Sequence, residues 1–105
     1  MAKAIRFYEA GGPEVLRVED VPVGKPGEGE VLVRLSHAGV NPIDVRMRDG
    51  GAGRVDLPFV PGCDGVGETG AGPVVVYGAG LGLRRAGTYA ERVAVPETAV
   101  VRLPE

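Results

Sequence analysis

The sequence predicts a mainly β fold interrupted by one short helix, and three observations carry that expectation. Eighteen glycines and nine prolines punctuate a chain of 105 residues, a density that in a polar sequence would mean disorder. Here 44% of the residues are hydrophobic and valine recurs throughout, so the same punctuation cuts the chain into many short strands joined by tight turns. The third observation is the single place where punctuation starts a helix, Asn41-Pro42 after the strand-like run E-V-L-V-R-L at 30–35.

In chain order, Ala4-Ile5-Arg6-Phe7-Tyr8 predicts a first strand and Ala10-Gly11-Gly12-Pro13 the turn into a second at 15–21, with Leu16 and Val18 on one face. The two should form a hairpin. Pro22 and the run Gly24-Lys25-Pro26-Gly27-Glu28-Gly29 remove both helix and ladder options and predict a solvated loop. After the strand at 30–35, Asn41 is placed to cap a helix, and Pro42 has its φ preset and no N–H to leave unpaired at the first helical position. Asp44, three residues after the cap, is placed to accept from the cap N–H and to meet the positive end of the helix dipole. Gly50 and Gly51 end the helix. Residues 49–54 form a glycine-rich segment able to lie over a cleft, and residues 57–62 are pinned by Pro58 and Pro61. Strands are predicted at 74–77, 88–95 and 100–103.

A helix that begins at a sheet edge projects its first polar side chains into the cleft beside it, which makes Asn41 and Asp44 the candidate functional residues. The pattern N-x-x-D also serves as a plain helix cap, and the residues alone leave both roles open. His37 falls on the Val31-Val33-Leu35 face, as a core or rim histidine would. Cys63 is expected to be a small packed side chain, and Tyr89 to pack through its ring with its hydroxyl reaching a partner at the edge. The run Gly78-Ala79-Gly80-Leu81-Gly82-Leu83 invites a dinucleotide-binding reading. That fingerprint requires a third glycine where Leu83 stands and a long helix opening there, which Gly87 would break. A glycine-rich barrel loop is the expectation, with Arg84 and Arg85 facing water or an anion.

Composition excludes several classes. The net charge is −2 with both signs interspersed, so no basic patch points to nucleic acid or an acidic membrane surface. The longest apolar run is too short to span a bilayer, and M-A-K-A-I-R-F lacks the apolar core of a secretory signal; a soluble, cytoplasmic chain is expected. One cysteine rules out an intrachain disulfide and a cysteine-rich zinc site. The length suits one domain, 1–105. Ten arginines against two lysines carry no functional meaning by themselves.

Four segments in sequence order resemble one family. Gly11-Gly12-Pro13-Glu14-Val15-Leu16, G-V-N-P-I-D at 39–44, L-P-F-V-P-G-C-D at 57–64 and G-T-Y-A-E-R-V-A-V-P at 87–96 are similar to signatures of the zinc-independent, NADPH-dependent quinone oxidoreductases. These are the zeta-crystallin-like group of the medium-chain dehydrogenase/reductase superfamily. The resemblance implies a GroES-like, largely antiparallel barrel with one short helix after Asn41, and residues 63–68 entering that barrel as a strand. It implies hydride transfer from NADPH to a quinone or activated carbonyl acceptor in a cleft shared with a Rossmann domain. Asn41 would lie beside the nicotinamide, only with that partner domain present, and Asp44 would help shape the cleft. Alcohol dehydrogenases of the superfamily place a zinc-ligand cysteine at the equivalent helix start and a His-Glu pair after the glycine matching Gly62. Val40-Asn41-Pro42 and Cys63-Asp64 stand there instead, and no metal is implied.

Three departures qualify the resemblance. Arg46 occupies a position where the family often has a tyrosine. Only Gly65 to Pro73 separates Asp64 from the valine run where the family carries a longer segment ending in G-D-x-V, so a strand and its turn are expected to be shortened around 65–74. Val101-Arg102-Leu103-Pro104-Glu105 matches the point at which the family chain enters its Rossmann domain. The expectation is an isolated or engineered barrel domain, inactive alone and binding no cofactor by itself. Two other classes remain: an engineered or ancestral-type barrel scaffold without catalysis, and a co-chaperonin-like binding module.

Overall fold

The computed structural model describes residues 1–104. Its first element is the expected hairpin, in which β1 (Ala2–Arg6) pairs antiparallel with β2 (Arg17–Val21), Ala4 opposite Glu19. β1 ends before its predicted limit and β2 starts after its own. Phe7 leaves β1 to exchange backbone hydrogen bonds with Phe59, 3.0 Å in each direction, and Pro13 draws Glu14 and Val15 into a single 3-10 turn. Val18, predicted to share a face with Leu16, stands 69% exposed.

The second sheet has five antiparallel strands. They are β3 (Glu30–Ala38), β4 (Asp64–Thr69), β5 (Gly72–Tyr77), β6 (Arg92–Pro96) and β7 (Val100–Arg102), in the spatial order β6-β3-β4-β5-β7. The fold is mainly β and GroES-like, as expected, but the sheet curls into a half-barrel with β6 and β7 at its edges. Gly70-Ala71 alone joins β4 to β5, which therefore pair directly as a tight hairpin from Asp64–Tyr77 to Thr69–Gly72. The strand predicted at 88–95 begins only at Arg92. Residues 88–91 cross β1 instead, with the Tyr89 carbonyl accepting from the Ile5 N–H at 2.8 Å and the Glu91 N–H donating to the Lys3 carbonyl at 2.9 Å. That crossing ties the two sheets together.

Strand alternation turns Val33, Val74, Val76, Val93 and Val95 inward, where they pack with Leu81 and Ala99. Each fully buried valine stabilises the fold by about 1.5–3 kcal/mol through removal of apolar surface from water. A second cluster gathers Phe7, Phe59 and Met47, the two rings meeting edge to face at 6.0 Å and 69°. Met47 belongs to the one α-helix among the described residues, α1 (Pro42–Asp49), whose bounds agree with the prediction. Gly50 ends it at φ +89°, a left-handed conformation that glycine adopts without steric cost.

One residue of slippage overturns the placement of His37. The pairing of β3 with β4 runs Leu35 opposite Gly67 and then His37 opposite Val66, leaving Ser36 as an extra, bulged residue. Since side chains alternate every residue, one insertion moves all that follows to the other face. His37 is exposed, with its Nδ1 3.1 Å from Ser36 Oγ.

No helix opens at Gly80. Residues 78–85 make consecutive tight turns that place Leu81 in the core, so the glycine run is a barrel loop. Two of the glycines around it are required by a backbone crossing. A Cβ on Gly87 would lie 2.7 Å from the Pro61 carbonyl oxygen and 2.8 Å from Gly82 Cα, and a Cβ on Gly82 would collide with the carbonyl of Gly62. Among the described residues, no helix is long and apolar enough to cross a membrane.

Candidate functional site

Asn41 sits in extended conformation between the end of β3 and the start of α1. Its backbone N–H donates to Asp44 Oδ2 at 2.9 Å, and its carbonyl accepts from the Asp44 N–H at 3.0 Å. The Asp44 carboxylate thus stabilises the helix start as a cap acceptor, with the helix dipole adding to the effect. The Asn41 side chain turns toward β4, where its amide donates to Asp64 Oδ1 at 3.2 Å.

The first residue of β4 is fixed from two sides. The Asp64 carbonyl accepts from the Gly39 N–H at 3.1 Å and from the Thr88 hydroxyl at 2.8 Å. A Cβ on Gly39 would collide with the Asp64 carboxylate, so glycine at that position admits the Asn41–Asp64 contact. These two side chains line a concavity of about 430 Å3, walled by Ile43, Cys63, Tyr77 and Leu81.

Asp44 lies behind this concavity and is only 3% exposed. Its two oxygens face different partners: Oδ1 accepts from the Cys63 thiol and Oδ2 from the Tyr89 hydroxyl, each at 3.5 Å. Burial, reinforced by the Asp44 carboxylate, pushes the Cys63 thiol up to about 11. Burial and then Asp44 push the Tyr89 phenol up to about 12. Both groups are therefore neutral hydrogen-bond donors at neutral pH.

A second concavity of about 450 Å3 opens on the Tyr89 side, lined by Ile5, Val18, His37, Val40 and Tyr89. Asp44 lines neither concavity. Of the sequence-predicted pair, Asn41 lines a cavity wall and Asp44 is buried behind it. Cys63 and Tyr89 behave as expected, half-buried with their polar ends on a partner. Sequence reasoning misses Asp64 and Thr88 as members of the site. The signal for them lies in the same P-G-C-D and G-T-Y-A-E segments that carry the resemblance. Among the described residues, no three His, Cys, Asp or Glu side chains are grouped as a metal ion requires.

The concavity presents the Asn41 amide and the Asp64 carboxylate between apolar walls from Ile43 and Leu81. No helix N-terminus follows the 78–82 turns, so this loop supplies no helix-end cradle for an anion.

Comparison with known proteins agrees with this fold. Residues 27–105 match the alcohol dehydrogenase GroES-like domain family. A quinone oxidoreductase of Pseudomonas aeruginosa is 36% identical over 115 positions, covering 100% of this chain and 34% of that protein. The crystal structure of the Pseudomonas syringae quinone oxidoreductase superposes with a TM-score of 0.87 at 32% identity, covering 100% of this chain and 34% of the other. The quinone oxidoreductase of Thermus thermophilus, solved also in complex with NADPH, superposes with a TM-score of 0.81 at 36% identity, covering 98% of this chain and 32% of the other. The chain spans about a third or less of the length of the curated relatives it matches. The half-barrel, the capped helix after Asn41 and the match over residues 27–105 place the chain in the alcohol dehydrogenase GroES-like domain family.

Proposed function

We propose that residues 1–105 form the substrate-side domain of a quinone oxidoreductase-like enzyme, in which Asn41 and the concavity beside it receive the nicotinamide ring of NADPH. The observation that carries this reading is the Asn41–Asp64 contact at 3.2 Å on the wall of the concavity of about 430 Å3. The Thermus relative's NADPH complex supports the choice of cofactor. When bound, NADPH supplies the hydride that reduces a quinone or activated carbonyl acceptor. This chain's part is positional: Asn41 orients the ring, Asp64 fixes the Asn41 amide, and Asp44 holds the helix start that carries Asn41.

The cofactor's phosphates belong in this reading to a Rossmann partner domain, and the chain alone is inactive and does not retain NADPH. A shortened barrel accompanies this. The Pseudomonas aeruginosa alignment runs to 115 positions against 105 residues here, and the two-residue β4–β5 turn is where a contraction fits. The same contraction favours a second reading, a barrel scaffold with no catalysis in any context.

Fluorescence titration with NADPH separates these outcomes. The isolated chain is expected to show no saturable binding up to millimolar NADPH, and a fusion carrying a relative's Rossmann domain to bind and to oxidise it when a benzoquinone is added. Tight binding by the isolated chain overturns the division of labour. A folded fusion that binds NADPH but reduces no quinone supports the scaffold.

A further inference from the structure

Beside residues 83–86, the geometry points to a binding site for a small phosphate monoester with an apolar body. A cleft of about 800 Å3 runs between the hairpin, residues 54–60 and residues 83–86, and Arg6, Arg54, Arg84 and Arg85 all line it. Four of the chain's ten arginines therefore converge on one concavity of an overall acidic protein, with Asp56 the one carboxylate on its lining. Only Leu83 is shared with the concavity beside Asn41.

The four guanidinium groups divide into two fixed and two free. Arg6 Nε donates to Glu19 at 2.6 Å, and Arg85 Nη2 donates to Glu30 at 2.7 Å and to the Ala94 carbonyl at 3.4 Å. These contacts pin both groups while leaving most of their five N–H donors unengaged. Arg54 and Arg84 are exposed and make no ion pair or side-chain hydrogen bond among the described residues. Phe59 and Leu83 line the same cleft and supply an apolar wall.

Guanidinium forks match phosphate oxygens in pairs, which distinguishes such a site from diffuse cationic surface. The volume lies in the range of small-molecule pockets. A phosphate would bridge the two free arginines while its organic body covers Leu83 and Phe59. Asp56 on the lining, with Glu19 on Arg6 and Glu30 on Arg85, opposes the anion and sets a limit on affinity. This site is independent of the nicotinamide reading, since none of its four arginines lines the Asn41 concavity.

The test is a titration of the full chain with phenyl phosphate, followed through backbone amide chemical shifts. Saturable shifts are expected at residues 54–57, 59, 60 and 83–86, with the amides of Asn41 and Asp64 unmoved. The double variant Arg54→Gln, Arg84→Gln should weaken binding about tenfold, the loss expected for charge-assisted bidentate contacts. Asp56→Asn should tighten it several-fold, which guards against misreading a general loss of structure. Inorganic phosphate should bind more weakly than phenyl phosphate. A double variant that binds within twofold of the parent overturns the proposal, and so do shifts centred on Asn41.

Discussion

The side-chain amide of Asn41 donates to the carboxylate of Asp64 at 3.2 Å, joining the residue before α1 to the first residue of β4. Twenty-three positions apart in sequence, the two meet because β3 and β4 pair antiparallel, and because Gly39 has no Cβ to hold the carboxylate away. Helix start and strand start thereby form one wall.

Removing Asp44 should weaken that wall from behind. Asp44→Ala leaves the Asn41 N–H, the Cys63 thiol and the Tyr89 hydroxyl without their acceptor in a buried setting. The expected loss is about 2–3 kcal/mol, combining a helix cap with unsatisfied buried donors. Urea denaturation measures it. Asp44→Asn retains one acceptor oxygen and should lose less.

Alkaline pH should act on the same group of residues with a defined sign. The Cys63 thiol, ordinarily near 9.0, is pushed up to about 11 in the folded chain. The unfolded chain therefore releases this proton first, so the stability associated with it is full below pH 9 and is lost as pH rises toward 11. Denaturation curves across that window should show Cys63→Ala losing less stability than the parent. Equal slopes would remove Cys63 from the account. The Tyr89 phenol continues the trend toward about 12, and Tyr89→Phe should abolish the corresponding late phase of phenolate absorbance.

Two glycine variants separate backbone crossing from simple chain flexibility. Gly87→Ala inserts a methyl 2.7 Å from the Pro61 carbonyl oxygen, whereas Gly70→Ala at the β4–β5 turn meets nothing within 4 Å. The first should cost about 3 kcal/mol or more through overpacking against rigid backbone, and the second under about 1 kcal/mol. Midpoints from thermal or urea unfolding distinguish them.

Much of this architecture is legible in the sequence because its causes are local. Asn41-Pro42 and Gly50 bound α1 correctly, since capping and left-handed termination depend on residues within one turn. Valine-rich runs locate β5 and β7, although Gly72 and Pro73 extend β5 ahead of its valines. What escapes depends on partners far along the chain. The bulge at Ser36 exists only in the pairing with Gly67 and Val66, and it reverses the face of His37. Thr88 to Glu91 resembles strand but crosses β1 because Lys3 and Ile5 supply its hydrogen-bond partners. Asp64 is visible in P-G-C-D, yet its contact with Asn41 requires the β3–β4 register. For Asp44 the sequence allows both a cap and a cleft role; the structure buries it and gives its carboxylate the Asn41 N–H.

The central claim, that Asn41 serves the nicotinamide pocket, is tested most directly in a fusion of this chain to the Rossmann domain of the Thermus relative. Steady-state NADPH oxidation with a benzoquinone should give turnover, and Asn41→Ala should lower kcat by about tenfold or more while the fusion remains folded, the scale expected for a lost orienting contact. Turnover unchanged by Asn41→Ala would contradict the account.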